Sequence, residues 1–286
     1  MAGGLSLKPM QENFISIKPK HPTLAPHIDY YYFHNVVNEG EAYNVVYYPH
    51  YQTVINFYKN AKVTWNEQGR IIQEINENTS ECLFTCNPKT SRQVCIKGSV
   101  HKIGIVFNPL GINHFIKGNI TQISDQAITP FPYFGADFED LSTQLYGELK
   151  IEEKQALLDQ FFVEKYLGFE DQGFRNLVYR MINSEPNLLV NKMAEELKIS
   201  RKTLLRKFKN RLGTSPSEFK SLVKFRNALH QYDTNLKLTS IAYDSNYYDQ
   251  SHFIKSYQSL VGKSPKNLFL SLTKLGENRT LWTKMQ

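Results

Sequence analysis

Five positions in the C-terminal third of this chain recur at a fixed spacing, and that recurrence limits the fold more than any other feature. Leu204, Phe208, Gly213, Ser215 and Pro216 return 49 residues later as Phe253, Tyr257, Gly262, Ser264 and Pro265. Upstream of each set, Ala194 and Lys198 match Ala242 and Asn246 at a spacing of 48. The one extra residue falls in the turn between two helices, where a change of length costs little. A helix, a tight turn, a second helix and a Gly-x-Ser-Pro that opens a third make one supersecondary unit used twice.

The residues between these landmarks fit that unit. Leu204, Phe208 and Leu212 lie four apart, so they form a helical stripe that needs burial. Ser215-Pro216-Ser217-Glu218 reads as a capping box, with Ser215 at the N-cap, Pro216 at the first helical position and Glu218 reaching back. Gly213 and Gly262 suit left-handed helix stops. "SEFKSLVKFRNALHQYD" makes one longer helix, Ser215 to Asp233, that joins the two units.

Charge then says what the first unit displays. Arg201, Lys202, Arg206, Lys207, Lys209 and Arg211 crowd into eleven residues. At 100° per residue, Lys202, Leu205, Arg206 and Lys209 share an arc of about 100° pointing away from the apolar stripe. The same arc of the second unit holds Ser251, Ile254, Lys255 and Gln258, with Gln250 beside it. From Arg180 onward the chain carries 19 Lys and Arg against 8 Asp and Glu, a net +11, while residues 1 to 179 carry −4. The basic part therefore expects a polyanion. A membrane-surface helix would need a broad apolar face opposite its cations, and this stripe is narrow. Long cationic and amide side chains on a doubled helix-turn-helix suit the major groove of DNA.

The first hundred residues read differently. "AYNVVYYPH", "QTVINFYKN", "AKVTW", "RQVCIKG" and "HKIGIVFN" are short runs rich in Val, Ile, Tyr and Phe, separated by turn residues, which suggests a sandwich or barrel. After Asn108 come a short helix in "PLGINHFI" and helical spacing in "DFEDLSTQLYGEL" and "IEEKQALLDQFFVEKYL". Ile151, Leu158 and Phe162 make an apolar line there, a candidate dimer seam or a face packed on its own domain. From Gln172 to the end nearly everything reads as helix or turn. With 41% hydrophobic residues, no apolar run of about 20 residues and no secretion-type start, the expected compartment is the cytoplasm.

"IAYDSNYYDQSHFIKSYQSLVGKSPKNLF" resembles the signature of the AraC/XylS transcription regulators: Ile241-Ala242, Asn246-Tyr247, Ser251-His252-Phe253, Tyr257 and Gly262-Lys263-Ser264-Pro265. "MAEELKISRKTLLRKFKNRLGTSP" matches as the first copy. The likeness spans about residues 180 to 275 and implies two recognition helices in successive major grooves. Base-facing residues would be Lys202, Leu205 and Arg206, then Gln250, Ser251, Ile254 and Lys255. Arg201, Lys209 and Gln258 complete the expected DNA-binding set. Asn246 stands where the family has a turn glycine, and apolar Leu205 and Ile254 would touch thymine methyls or contribute nothing. "HPTLAPHIDYYYF", "VINFYKNAKVTW" and "GIVFNPLGINHFIKG" carry a weaker likeness to sensor domains of the family, although Pro49-His50-Tyr51 departs from its usual Pro-Asp-Gly.

The expected fold is thus α+β. Residues 1–165 would form a small cupin-like β-barrel with helices that senses an effector or dimerises. Residues 172–275 would form an all-α double helix-turn-helix domain, and 276–286 a tail. The partners would be operator DNA, RNA polymerase, a small-molecule effector and a second copy, with no membrane. Two alternatives stay open, a barrel enzyme acting on a small molecule or metal and tethered to DNA, and a non-specific architectural protein. Against the first, Cys82, Cys86 and Cys95 have neither zinc-ligand nor redox spacing and no activating neighbours. His21, His27, His34, His50, His101 and His114 are scattered with no His-x-His, so no metal, cofactor or catalytic residue is expected.

Overall fold

Alternation builds the strands. In β5 (Ala61–Trp65), Ala61 and Val63 are buried while Lys62 between them is exposed. The computed structural model describes residues 10–65, 71–77, 79–86, 90–123, 128–231, 238–245, 247–266, 272–275 and 280–285. One six-stranded sheet runs in the order β1 (Gln11–Ile17), β2 (Ile28–Val37), β9 (Val100–Phe107), β4 (Thr53–Tyr58), β7 (Glu81–Cys86) and β10 (Ile128–Pro130). The second runs β11 (Thr273–Leu275), β12 (Thr280–Met285), β3 (Tyr43–Tyr47), β8 (Arg92–Lys97), β6 (Ile71–Ile75) and β5. The pairing of β6 with β8 is parallel.

The two sheets face each other and the barrel is not closed, so the expected cupin-like barrel describes it loosely. Val36, Leu83 and Val100 of the first sheet meet Val45, Val63, Ile71 and Val94 of the second in one apolar cluster. The edge strand β10 is three residues long and ends on Pro130, which has no N–H to continue a ladder. The helical reading of the chain's end is corrected. Trp282 pairs with Tyr47 and Met285 with Asn44, so the expected tail supplies β12 to a sheet of the N-terminal part. Nothing in that short segment announces a partner, because its pairing depends on the free edge of β3, more than 230 positions earlier in the chain.

Each central strand of the first sheet has two working faces. Tyr31, Ile55, Phe57, Ile103, Ile105 and Phe107 point to α2 (Ala136–Leu145) and α3 (Ile151–Glu164). Leu158 and Phe162, both 0% exposed, are the residues of α3 that receive them. Leu158 and Phe162, two of the three residues of that apolar line, are therefore spent inside their own domain. The other face of the sheet, with Tyr30, Tyr32, Val54, Asn56, Tyr58 and Lys102, turns toward a cavity between the sheets. Gly104 makes room there, since a Cβ at that position would sit 2.1 Å from the Tyr32 ring.

The helical part comprises α4 (Gln172–Asn183), α5 (Val190–Glu196), α6 (Arg201–Leu212), α7 (Pro216–Gln231), α8 (Leu238–Asp244) and α9 (Gln250–Val261). Its two cores are not closed on themselves. Leu110 joins Phe174, Leu204, Phe208 and Phe219 in the first, and Val46 and Tyr48 join Phe225, Phe253 and Tyr257 in the second. Among the described residues no helix is long and apolar enough to cross a membrane.

Asp159 of α3 ties this domain together. Its carboxylate accepts from the Tyr31 hydroxyl at 2.9 Å and from the backbone N–H groups of Lys20 and His21 at 2.8 and 2.9 Å. Asp159→Ala would leave three donors without that acceptor, and unmade buried hydrogen bonds to a charged group are expensive. The expected loss is about 3 kcal/mol of unfolding free energy, read as a lower urea midpoint at unchanged slope. A variant as stable as the parent would show that water replaces the carboxylate at no cost.

Candidate nucleic-acid interface

The first recognition helix is built as its residue spacing requires. Leu204 and Phe208 are 0% exposed and Leu212 2%, so the stripe faces the core. Phe208 meets Phe174 edge-on at 5.1 Å between ring centroids and Phe219 at 5.9 Å. The Ser200 hydroxyl caps the helix by accepting from the Thr203 N–H at 3.1 Å. Gly213 closes it at φ 68°, a left-handed conformation that favours glycine. The capping box of α7 is present in both directions, Glu218 N–H to Ser215 Oγ at 3.2 Å and Ser215 N–H to the Glu218 carboxylate at 2.9 Å.

The six cations of α6 then divide by use. Arg201, Lys202, Leu205, Arg206 and Lys209 are exposed. Among the described residues, none of these four cations is held in an ion pair. Lys207 and Arg211, on another side of the helix, are both engaged. Lys207 pairs with the Asp171 carboxylate and lies over the Phe174 ring at 5.4 Å. Arg211 donates to the Gly118 carbonyl at 2.6 Å and stacks over Phe169 at 5.1 Å.

The second helix repeats the pattern with fewer charges. Asp249 caps α9 by accepting from the His252 N–H at 2.7 Å, and Gly262 ends it at φ 74°. Phe253 and Tyr257 are fully buried, with Tyr257 4.7 Å from Phe225. Gln250, Ser251, Lys255 and Gln258 are exposed, whereas Ile254 is half-buried against the second core. That packing leaves Ile254 less of its side chain to offer a base than the helical arc suggested. Asn246 lies outside the described residues. Tyr248, 93% exposed just before the cap, is a surface aromatic that the periodicity did not single out.

Both recognition helices are gripped at their C-terminal ends by the N-terminal part. The Asn113 side-chain amide donates to the Arg211 carbonyl at 2.9 Å. Ser91 donates its N–H to the Leu260 carbonyl at 2.9 Å and its hydroxyl to the Val261 carbonyl at 3.2 Å. These contacts satisfy carbonyls that a helix end leaves without intrahelical partners. The exposed beginnings of both helices stay clear for a ligand.

Between the sheets lies a cavity of about 180 Å³. Tyr30, Tyr32, Tyr47 and Tyr58 line it, together with Lys102 and Arg92 from the strands and Arg226 from α7. Lys102 Nζ sits 5.5 Å from the ring centroids of Tyr32 and Tyr47 and 5.6 Å from that of Tyr58. It keeps partial exposure by surface area because it faces the cavity, yet the dense protein around it lowers its ammonium to about 8. Arg226 is 1% exposed and lowered to about 10 by burial, with Tyr51, Tyr30 and Tyr257 opposing that shift.

The histidines, scattered in sequence, include one pair brought together. The rings of His27 and His114 stack at 3.6 Å and Tyr166 stacks on both at 5.6 Å, at the seam with α4. Burial and then Arg175 lower His27 to about 4; burial, His27 and Arg175 lower His114 to about 3. Both rings are neutral at physiological pH. Among the described residues no group of three or more His, Cys, Asp and Glu gathers as a metal site.

Comparison with known proteins places family matches on both parts. Residues 193–270 match the family described as "Helix-turn-helix domain", and residues 16–129 match "Domain of unknown function (DUF6597)". No curated protein matches the chain. A crystal structure of ToxT from Vibrio cholerae is similar over 92% of this chain and 98% of its own, at 13% identity and TM-score 0.48. A ToxT structure from the same organism, bound to an unsaturated fatty acid, covers 91% and 95% at 12% identity and TM-score 0.44. The C-terminal domain of AraT, a response regulator from Geobacillus stearothermophilus, covers 35% of this chain and 85% of its own, at 22% identity and TM-score 0.33.

The division of cations on α6 is testable. Arg211→Ala removes a charged donor from the Gly118 carbonyl and should cost about 1–2 kcal/mol of stability. The salt dependence of DNA binding should stay as in the parent, because a cation turned toward protein releases no phosphate counterion. A shallower salt slope with unchanged melting would instead put Arg211 on DNA.

Proposed function

We propose, from the helix-turn-helix match at residues 193–270, that the chain is an AraC-type DNA-binding transcription regulator that reads an operator with α6 and α9 while residues 1–165 take up a small effector. The observation that carries this reading is the split on α6. Four exposed cations stand free of ion pairs among the described residues beside two that are tied down. A packed helix that leaves such a row uncompensated suits a polyanion. Arg206 and Lys202, with Gln250 and Lys255, are the side chains proposed to meet base edges. Arg201 and Lys209 sit where a phosphate would be met. The proposed domains are 1–165 and 172–275, the site of action the cytoplasm, and the outcome activation through RNA polymerase by a dimer.

For the rival reading as a barrel enzyme tethered to DNA, thiol chemistry at Cys82 or Cys86 is disfavoured by the thiols themselves. Burial pushes Cys86 up to about 12 and also raises Cys82, so both stay protonated and poorly nucleophilic. We therefore propose no catalytic role for these two thiols.

Arg206→Ala and Lys209→Ala separate specific from general contact. Arg206→Ala should cost about 1–3 kcal/mol on the operator and relax preference at one base pair. Lys209→Ala should weaken operator and random DNA alike, with a salt slope smaller by about 1. The operator would come from selection on random DNA and the affinities from fluorescence anisotropy. Equal losses on every sequence would refute base reading by Arg206, and a selection without any preferred sequence would favour the architectural alternative.

A further inference from the structure

The turns of the two helix-turn-helix units differ in length by one residue, and that residue is a tyrosine. In the first unit the Ile199 N–H donates to the Ala194 carbonyl at 3.0 Å, and in the second the Tyr247 N–H donates to the Ala242 carbonyl at 2.9 Å. These bonds lie 48 positions apart and close equivalent turns. The caps that follow lie 49 apart, Ser200 on α6 and Asp249 on α9. Ser200 comes directly after Ile199, whereas Tyr248 stands between Tyr247 and Asp249. Tyr248 is thus the added residue of the second unit.

An exposed aromatic needs no explanation by itself, but this one is held in a defined place. On one side of it Tyr247 is buried, its ring 5.1 Å from Phe253 and 5.5 Å from His252. On the other side Asp249 caps α9. Between these fixed points Tyr248 is 93% exposed, more than any other large apolar or aromatic side chain among the described residues. A turn that only had to be longer would be served by Gly, Asn or Asp. The exposed residues Gln250 and Ser251 follow directly, so the phenol stands at the open end of the second recognition helix. That helix brings one lysine, Lys255, where α6 brings four exposed cations.

We infer that Tyr248 is a DNA-backbone contact of the second unit, its hydroxyl donating to a phosphate oxygen at the edge of the groove that α9 enters. This rests on the reading of α9 as a recognition helix and adds a contact that fixes position rather than sequence. Tyrosine hydroxyls are among the donors that meet phosphates in this way. The neighbouring Asp249 carboxylate is turned to its own helix, where it accepts from the His252 N–H at 2.7 Å. An uncharged donor at the entry of α9 offsets part of its shortage of cations.

The test uses the full chain with Tyr248→Phe, which removes only the hydroxyl, and Tyr248→Ala, which removes the ring as well. Both should melt as the parent does, because the side chain is in water in the free protein. In fluorescence anisotropy Tyr248→Phe should bind the selected operator about three- to tenfold more weakly than the parent, and random DNA by a similar factor. Tyr248→Ala should lose at least as much. The salt slope should stay parental, since an uncharged donor releases no counterion. A scan of single methylphosphonates across the operator then locates the contact. At one phosphate the replacement should cost the parent about threefold more than it costs Tyr248→Phe, the coupling expected of a direct pair.

Parental DNA binding by Tyr248→Phe would overturn the inference, and parental binding by Tyr248→Ala as well would assign the ring to a protein partner. A loss confined to one base pair of the operator would make Tyr248 a base reader and overturn it too. So would a scan in which no phosphate distinguishes the parent from Tyr248→Phe. Each of these outcomes leaves the regulator reading in place. A parent without a preferred sequence would overturn sequence reading alone, and the effect of the hydroxyl on random DNA would still decide the contact. A parent that binds no DNA would remove both.

Discussion

Helix α7 serves two cores at once, and the arrangement of the rest follows from that. Phe219 and Val223 are buried in the first core, and Phe225, Ala228 and Leu229 in the second. All five are 1% exposed or less. Removing even one large side chain from such a position costs several kcal/mol, so neither unit can rotate about α7 without losing packing. Coupling between α6 and α9 is therefore a matter of side-chain interdigitation, which has discrete states rather than a continuous range. The N-terminal part closes the frame by holding the far ends of both helices, through Asn113 at Arg211 and Ser91 at Leu260 and Val261.

That frame alters how charge and function are divided along the chain. The acidic N-terminal part and the basic C-terminal part look separable in sequence, each with its own pattern. Folded, they share apolar surface. Val46 and Tyr48 cover the second core, Leu110 completes the first, and Tyr51 lies 6.1 Å from Phe219. Cutting the chain near residue 172 would expose those faces to water, so the double helix-turn-helix would keep its turns and caps yet lose part of its core. Separation of charge does not imply separation of packing.

The features legible in the sequence are those set by neighbours three or four positions away. The stripe Leu204, Phe208, Leu212, the capping box at Ser215 and Glu218, and the left-handed stops at Gly213 and Gly262 all lie where local periodicity put them. Features that depend on distant pairing were not legible. An open pair of sheets and a closed barrel show the same alternation, because closure is decided at edges such as β10, where Pro130 ends the ladder. The strand at Thr280–Met285 needs the edge of β3, and the His27–His114 stack needs a loop and a short 3-10 helix (Gly111–His114) folded together. The split of the α6 cations was half legible. Periodicity separated the outward arc from Lys207 and Arg211, but only the fold supplies Asp171 and Gly118 as their partners.

Arg226 puts a buried charge on the same helix that fixes the cores. On helical spacing alone it lies between two buried aliphatic neighbours and reads as an anomaly, a cation within an apolar run. Its surroundings explain the placement. Tyr51, Tyr30 and Tyr257 act on it electrostatically, and it opens on the cavity where Lys102 and Arg92 stand. A Met there would satisfy packing with less desolvation cost. The charge instead ties α7 to the polar groups around the cavity that it borders. Anything that entered the cavity could change how α6 and α9 meet DNA only by binding one arrangement of α7 more tightly than another.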